Sequence, residues 1–327
     1  MNVDSIFEQF SNKKIAVLGD VMIDAYLRGG VSRISPEAPV PIIELQKAES
    51  RLGGAANVAL NLLSLGAQPI ICSLIGDDDG GTNFMDLLNE KSLPLEGIIL
   101  DKQRKTTIKT RVIGDNQHLL RIDDEEVSPI NSNQENSVID RVKKILDSKV
   151  DALIIEDYNK GLLTEKVIET VIDYANELGI IVTVDPKRDN FFAYKNVTLF
   201  KPNLKELKEG LNVVFNLETG KTDFEMAINK LEERLNNKIS LITLSEHGVF
   251  IKKNDEMNYT PAHLRKISDV SGAGDTVISV ATLCLTVGLE VKKVAEIANL
   301  AGGLVCELSG VVPINKDRLK EEVFKIT

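Results

Sequence analysis

The segment DVSGAGDT, Asp269 to Thr276, holds the strongest chemical signal in the chain. Gly272, Ala273 and Gly274 are small and run directly into an apolar helical stretch. Backbone N–H groups at such a start point outward, and the helix dipole there favours negative charge. That is a cradle for a phosphoryl group in transfer. Asp275, in the first turn, is placed to accept a proton from an attacking hydroxyl. A plain glycine-rich turn followed by a favourable first-turn acid accounts for the same residues. A second glycine pair, Gly53 and Gly54, opens GGAANVALNLLSLG. Backbone can approach a ligand closely there. Asn57 offers both a donor and an acceptor to sugar hydroxyls. The bland alternative is a helix start packed tightly on a strand. The chain has no GxxxxGK[ST] loop, so a P-loop mechanism is not indicated.

Positioning such groups needs a rigid frame. KKIAVLGD, DALIIE, IIVTVD and KISLITL are short continuous Ile/Leu/Val runs. They alternate with amphipathic stretches such as TEKVIETVIDYANELG and TDFEMAINKLEERLNN. That rhythm predicts a parallel sheet covered by helices on both faces. Two stretches break it. Residues 22–45 are extended and Pro-bearing, and residues 105–123 read as two strands joined at Gly114-Asp115-Asn116. Both are expected as antiparallel strands outside the main sheet, forming a small β-layer. Beyond Gly274 the chain reads as mostly helical.

With 39 Lys and Arg against 49 Asp and Glu, the net charge is −10, and 43% of residues are hydrophobic. The apolar share excludes disorder, and the acidic balance argues against broad nucleic-acid or anionic-membrane binding. An anionic substrate would need a local basic cluster. Cys72, Cys284 and Cys306 sit singly in apolar runs and read as free thiols. The N-terminus lacks a signal-peptide pattern and no apolar run is long enough to span a membrane, so the expected location is the cytoplasm. His118, His247 and His263 have no metal-ligand spacing.

GGAANVA followed by Gly66 and Gly76 has the spacing of the first PfkB (ribokinase-like) sugar-kinase signature, and DVSGAGDTVISVAT resembles the second. It departs at Val280, where that pattern has Ala or Gly. The resemblance covers nearly the whole chain. GDVMID, SRISPEAPVP, IKTRVIGDNQHLLRID, IEDYNKG, VDPKR, KPNLKEL and TLSEHG are together similar to one branch, the heptose-7-phosphate kinase domains of bacterial ADP-heptose synthases. SRISPEAPVP is the most branch-specific of them.

The resemblance implies an α/β fold, a ribokinase-like three-layer doubly wound and mostly parallel sheet. A small inserted β-sheet lid, from about 22–45 and 105–123, belongs to a single kinase domain over 1–327. A kinase-only form is implied, with the adenylyltransferase elsewhere. The implied reaction transfers phosphate from ATP to the anomeric hydroxyl of D-glycero-β-D-manno-heptose 7-phosphate, supplying ADP-heptose for lipopolysaccharide. The alternatives are the same chemistry on another sugar, or an idle sugar- or nucleotide-binding module.

By the same resemblance Asp275 is the general base, and Gly272, Ala273 and Gly274 form the anion hole. Asn203 and Glu206 match N-x-x-E, which orients Mg²⁺ and phosphates, usually through water; they also read as a capping box. Lys187 would reach the ATP phosphates, and Ser245, Gly248 and Asn299 match the nucleotide site. Asp24, Gly53, Gly54, Asn57, Asp157 and Lys160 fall on the sugar side, with Asp20 a weaker candidate. Arg33, Arg51, Lys109, Arg111 and Lys160 are candidates for the sugar's phosphate, of which two are expected to be contacts. A monovalent cation near Asp269 and a homodimer built through the lid complete the expectation.

Overall fold

The computed structural model describes residues 2–115, 117–217, 219–263 and 265–326. Asn116, expected at the turn of the second lid segment, lies outside them. The strands in chain order are β1 Lys14–Gly19, β2 Val21–Ile34, β3 Pro41–Gly54, β4 Gln68–Gly76, β5 Ile98–Asp101, β6 Ile108–Gly114, β7 Gln117–Asp124, β8 Ala152–Glu156, β9 Ile181–Asp185, β10 Leu199–Phe200, β11 Ile239–Thr243, β12 Val249–Lys253 and β13 Glu256–Thr260. The helices are α1 Val3–Phe10, α2 Ala55–Ser64, α3 Asp79–Glu90, α4 Ser132–Leu146, α5 Glu165–Glu177, α6 Leu204–Leu211, α7 Lys221–Leu235, α8 Ala273–Thr286, α9 Val291–Val305 and α10 Lys316–Lys325.

Nine strands form one sheet in the order β13-β12-β11-β10-β9-β8-β1-β4-β5. The seven from β11 to β5 run parallel, while β12 and β13 are antiparallel additions. Strand residues alternate between two apolar cores. Ile15, Val17 and Ile154 face one that includes α2, α8 and α9. Ala16, Leu18, Leu153 and Ile155 face the other, with α4, α5 and α7. This is a three-layer α/β fold with a mostly parallel sheet, as the sequence predicts. Helix boundaries follow local chemistry: Thr164 accepts from Val167 N to cap α5, and Asn131 with Gln134 forms a reciprocal capping box on α4. Among the described residues no helix is long and apolar enough to cross a membrane.

A separate four-stranded sheet has the order β3-β2-β6-β7. It differs from the sequence expectation in two ways. β3 continues nine positions past Leu45 to Gly54, so the basic stretch before Gly53 is strand. β2 with β3 and β6 with β7 are antiparallel, as expected, but the two pairs are joined by a parallel pairing of β2 with β6 that was not foreseen, because the chain crosses β4, α3 and β5 between them. The glycine pair therefore ends a strand of the small sheet and starts α2 on the large one, and this joins the two sheets at the site.

Candidate active site

The strands of the parallel sheet end in polar groups that face one place. Gly19 pairs with Glu156 and Glu156 with Asp185 at the carboxyl ends of β1, β8 and β9. Asp20, Asp157 and Lys201 follow β1, β8 and β10 directly. Ligands of open α/β sheets gather outside such carboxyl ends.

α8 starts over this point. Gly272 caps it with φ +78° and no side-chain cap hydrogen bond. A Cβ at Gly272 would lie 2.9 Å from Asn57 Nδ2, and one at Gly274 3.4 Å from Asp185 Oδ2 and 3.5 Å from Lys201 Nζ. The glycines thus keep open a cradle between the helix start and the charged strand ends. Asp275 is the third residue of α8 and is buried. Its Oδ2 accepts from Asn57 Nδ2 at 2.6 Å and its Oδ1 from the Tyr158 hydroxyl at 2.9 Å. Burial pushes the Asp275 carboxyl above its ordinary value, against the hydrogen bond from Asn57. A raised carboxyl near an acceptor hydroxyl is suited to general-base work.

Glu156 is fully buried, and neither carboxylate oxygen has a partner. One of its oxygens lies within 4.8 Å of one oxygen each of Asp185 and Asp275, themselves as close to each other, the one group of three among the described residues able to hold a metal ion. Burial raises the Glu156 carboxyl well above the ordinary range, and Asp185 and Asp275 add to it. Asp185 takes Lys201 Nζ at 2.7 Å and Lys187 Nζ at 3.5 Å. Burial opposes ionisation of Asp185, but the two lysines overcome it and hold the carboxyl low. An orphaned buried carboxylate between two others suits a hard divalent cation with oxygen ligands.

Asn203 and Glu206 form the reciprocal capping box of α6, each accepting from the other's backbone N–H at 2.8 Å. The second Glu206 oxygen takes Lys187 Nζ at 3.0 Å. Both Glu206 oxygens are thus partnered, and the unsatisfied carboxylate is Glu156 instead. Lys187 bridges Asp185 and Glu206 with its ammonium 5.7 Å from the Tyr158 ring centre. Gly248 has φ +89°, and a Cβ there would lie 2.1 Å from the Thr260 carbonyl. Asn299 donates to the Pro261 carbonyl at 2.9 Å. Gly248 and Asn299 therefore flank the same 260–262 segment, while Ser245 is exposed on the turn after β11.

Among the residues expected to meet the sugar, Asp24 is buried and paired with Arg111. A Cβ at Gly53 would lie 2.5 Å from Asp24 Oδ2, so the glycine admits that side chain. Gly54 has φ +61° and packs on the Asp20 carbonyl. Asp157 is partnered within the chain: its Oδ2 accepts from Tyr194 and its Oδ1 from Asn159 N. Asp20 is a hub, accepting from the backbone of Tyr158, Lys160 and Leu162 at 3.0, 3.1 and 3.2 Å. Burial and the nearby Asp157 raise its carboxyl to about 6. Asp269 accepts from Ser271 N and Gly310 N, both at 3.0 Å.

The phosphate candidates separate. Lys109 and Lys160 are both ion-paired to Glu125 at 2.8 Å. Arg33 is exposed near the far end of β2, seven positions beyond Tyr26 and roughly 20 Å away at the usual strand rise. It does not join Arg111 within one chain. Arg51 and Arg111 do meet, at Tyr26. The sequence reading missed Glu156, Tyr158, Asp185 and Lys201; an acid closing each of the apolar strands ALIIE and IVTVD was the available signal.

A glycine-started helix with a buried aspartate in its first turn thus lies over the strand ends of a mostly parallel sheet, an arrangement suited to a phosphotransferase. Phosphofructokinase-2 from Escherichia coli, in complex with potassium, superposes with a TM-score of 0.78 over 96% of this chain and 98% of that one at 18% identity. Arabidopsis thaliana ribokinase, complexed with ribose and ATP, gives 0.72 over 94% and 99% at 16% identity. These likenesses show the fold. The family model for pfkB family carbohydrate kinases matches residues 12–318, and the chain belongs to that family. It is a phosphotransferase with an alcohol group as acceptor. The bifunctional protein HldE of Helicobacter acinonychis (strain Sheeba) is 40% identical over 294 residues, 90% of this chain and 62% of the relative. That of Syntrophotalea carbinolica is 35% identical over 323 residues, 98% of this chain and 65% of the relative. The chain thus spans just under two thirds of the length of these relatives.

Proposed function

We propose that the chain phosphorylates the anomeric C1 hydroxyl of D-glycero-β-D-manno-heptose 7-phosphate with ATP, giving the 1,7-bisphosphate for ADP-heptose and lipopolysaccharide assembly. The observation that carries the reading is the contact of Asn57 with Asp275, which brings the sugar-side and phosphoryl-side motifs together. The HldE relatives supply the heptose branch.

Asp275 takes the proton of the acceptor hydroxyl, while Asn57 and Asp24 orient the sugar. The N–H groups at the start of α8 face the transferring phosphoryl, with Lys187 and Lys201 as fixed positive charge nearby. Glu156 and Asp185, beside Asp275, would hold Mg²⁺, which neutralises phosphate charge when bound; Asn203 and Glu206 fix Lys187 and the α6 start beside it. Ser245, Gly248 and Asn299 border the nucleotide end. A second copy of the chain is the proposed partner, through the small sheet. Coupled ADP release with heptose 7-phosphate, set against ribose and fructose phosphates, tests the reading. Faster turnover of another sugar would replace the heptose assignment and leave the kinase chemistry.

A further inference from the structure

We propose that Tyr26 and the three arginines around it, Arg28, Arg51 and Arg111, form the seat for the phosphate that the sugar substrate already carries. The proposal rests on the sugar-phosphate reading above and assigns the far end of that pocket. Asp24, Tyr26 and Arg28 alternate along β2 and share one face of the small sheet. In register with them stand Arg51, Glu49 and Lys47 on β3, and Lys109 and Arg111 opposite Asp24 and Tyr26 on β6. The guanidinium carbons of Arg28, Arg51 and Arg111 lie 5.4, 5.1 and 5.4 Å from the Tyr26 ring centre. The ring itself is buried beneath them.

Each arginine gains from the ring, but three like charges around one ring repel. The carboxylates present do not balance them. Asp24 pairs with Arg111, and Glu49 is shared by Arg51 and Lys47. Arg28 makes no ion pair among the described residues. Four cations thus share two carboxylates, a surplus of two positive charges. A phosphomonoester brings about −1.5 to −2 near pH 7 and three acceptor oxygens. Guanidinium forks match those oxygens. The other basic candidates are committed to Glu125 or lie far along β2.

The cluster also adjoins the reacting end. Asp24 touches both Arg111 and Gly53. A Cβ on Gly310 would be 3.6 Å from Arg51 Nη1, and Gly310 N is held by Asp269, which opens the segment leading to Asp275. A substrate anchored by its phosphate at Tyr26 would extend past Asp24 toward Asn57 and Asp275. Tyr26 is a positioning residue in this scheme, fixing where the arginine forks point.

Arg28→Ala is the sharpest variant, because it orphans no carboxylate. Steady-state ADP release would be measured on heptose 7-phosphate, on the unphosphorylated heptose, and on ribose and fructose phosphates. The expected result is a ten- to hundredfold rise in KM for the sugar phosphate, with the KM for ATP and the Tm held. The loss on the unphosphorylated sugar is at least tenfold smaller. Arg28→Lys recovers part of the affinity, and Tyr26→Phe retains more of it than Tyr26→Leu. Equal losses on both sugars, or no loss, overturn the seat while leaving the kinase reading in place. If wild type prefers another sugar phosphate, the heptose reading falls, and the same variants on that substrate decide the seat. If only unphosphorylated sugars react, the seat falls too. If no sugar reacts, calorimetric binding of heptose 7-phosphate replaces KM, and its absence in wild type overturns the seat.

Discussion

The Asn57 side-chain amide donates to Asp275 Oδ2 at 2.6 Å across 218 positions of sequence. The contact joins the first turns of α2 and α8, and Asn61 reinforces it by accepting from Thr276 and from Ile314 N, both at 3.0 Å. Asp275 is thereby aimed by one oxygen toward Asn57 and by the other toward Tyr158. A carboxylate held from both sides loses little orientation when substrate arrives, as the proposed general base requires.

Asp275→Asn is therefore expected to lower kcat by about 10²–10⁴-fold. ATP affinity, read by calorimetry, should stay within a few fold, since the α8 backbone is untouched. A variant with near wild-type kcat would show that another group removes the proton.

The orphaned Glu156 carboxylate gives a test with no turnover in it. Burial beside Asp185 and Asp275 disfavours its ionised form, and a cation that joins the three would offset the cost of ionising it. Mg²⁺ should raise the Tm of the wild type, as a ligand selective for the folded state does. Glu156→Gln should match or exceed the wild-type Tm in EDTA and lose most of the Mg²⁺ response. An unchanged response in the variant would move the cation elsewhere, with Glu206 the next carboxylate to test.

The glycine motifs and the buried strands were legible because each leaves a local mark, small residues in a row or a short Ile/Leu/Val run. Glu156, Tyr158, Asp185 and Lys201 were not, because what gathers them is the register of parallel strands. Register is a long-range property with no turn residue to announce it. The parallel pairing of β2 with β6 was missed for the same reason. Among the basic residues, sequence could not separate Lys109 and Lys160 from Arg51 and Arg111. Only the fold shows that Glu125 neutralises the first pair while Tyr26 collects the second.

The segment leading to the α8 cradle is fastened by charge. Arg265 donates to Glu307 and to Glu322, both at 2.9 Å. Hydrogen bonds from Lys325 and Arg265 lower the Glu322 carboxyl to about 2. The folded-state value lies below that of the unfolded chain, so this contribution is present above about pH 4.5 and is lost as pH falls toward 2. Glu322→Gln should lower Tm by roughly 1–2 °C at pH 7, and the gap should close near pH 2. A gap that persists in acid would mean the side chain acts by packing.

The small sheet argues for a second copy of the chain. β7 is an edge strand and is exposed along its whole length. Leu120 and Ile122, on the face opposite Arg111, are 51% and 52% exposed, and Ile34, Val40 and Leu45 on β2, β3 and their connection are also open. The inner part of the same apolar face is closed, with Ile23 and Leu52 buried. A free edge beside uncovered apolar side chains invites pairing, and a two-fold contact would cover both copies at once. Light scattering should give twice the chain mass at micromolar concentration. Leu120→Lys with Ile122→Asp should yield a folded monomer, with the far-ultraviolet dichroism of the wild type and a Tm that no longer rises with protein concentration. A wild-type monomer, or a dimer indifferent to both substitutions, would place any interface away from this sheet. The outcome also bears on Arg33. Its place near the far end of β2 puts it out of reach of its own Tyr26 seat but on the surface a partner would cover, so Arg33→Ala should weaken the dimer before it affects catalysis within either chain.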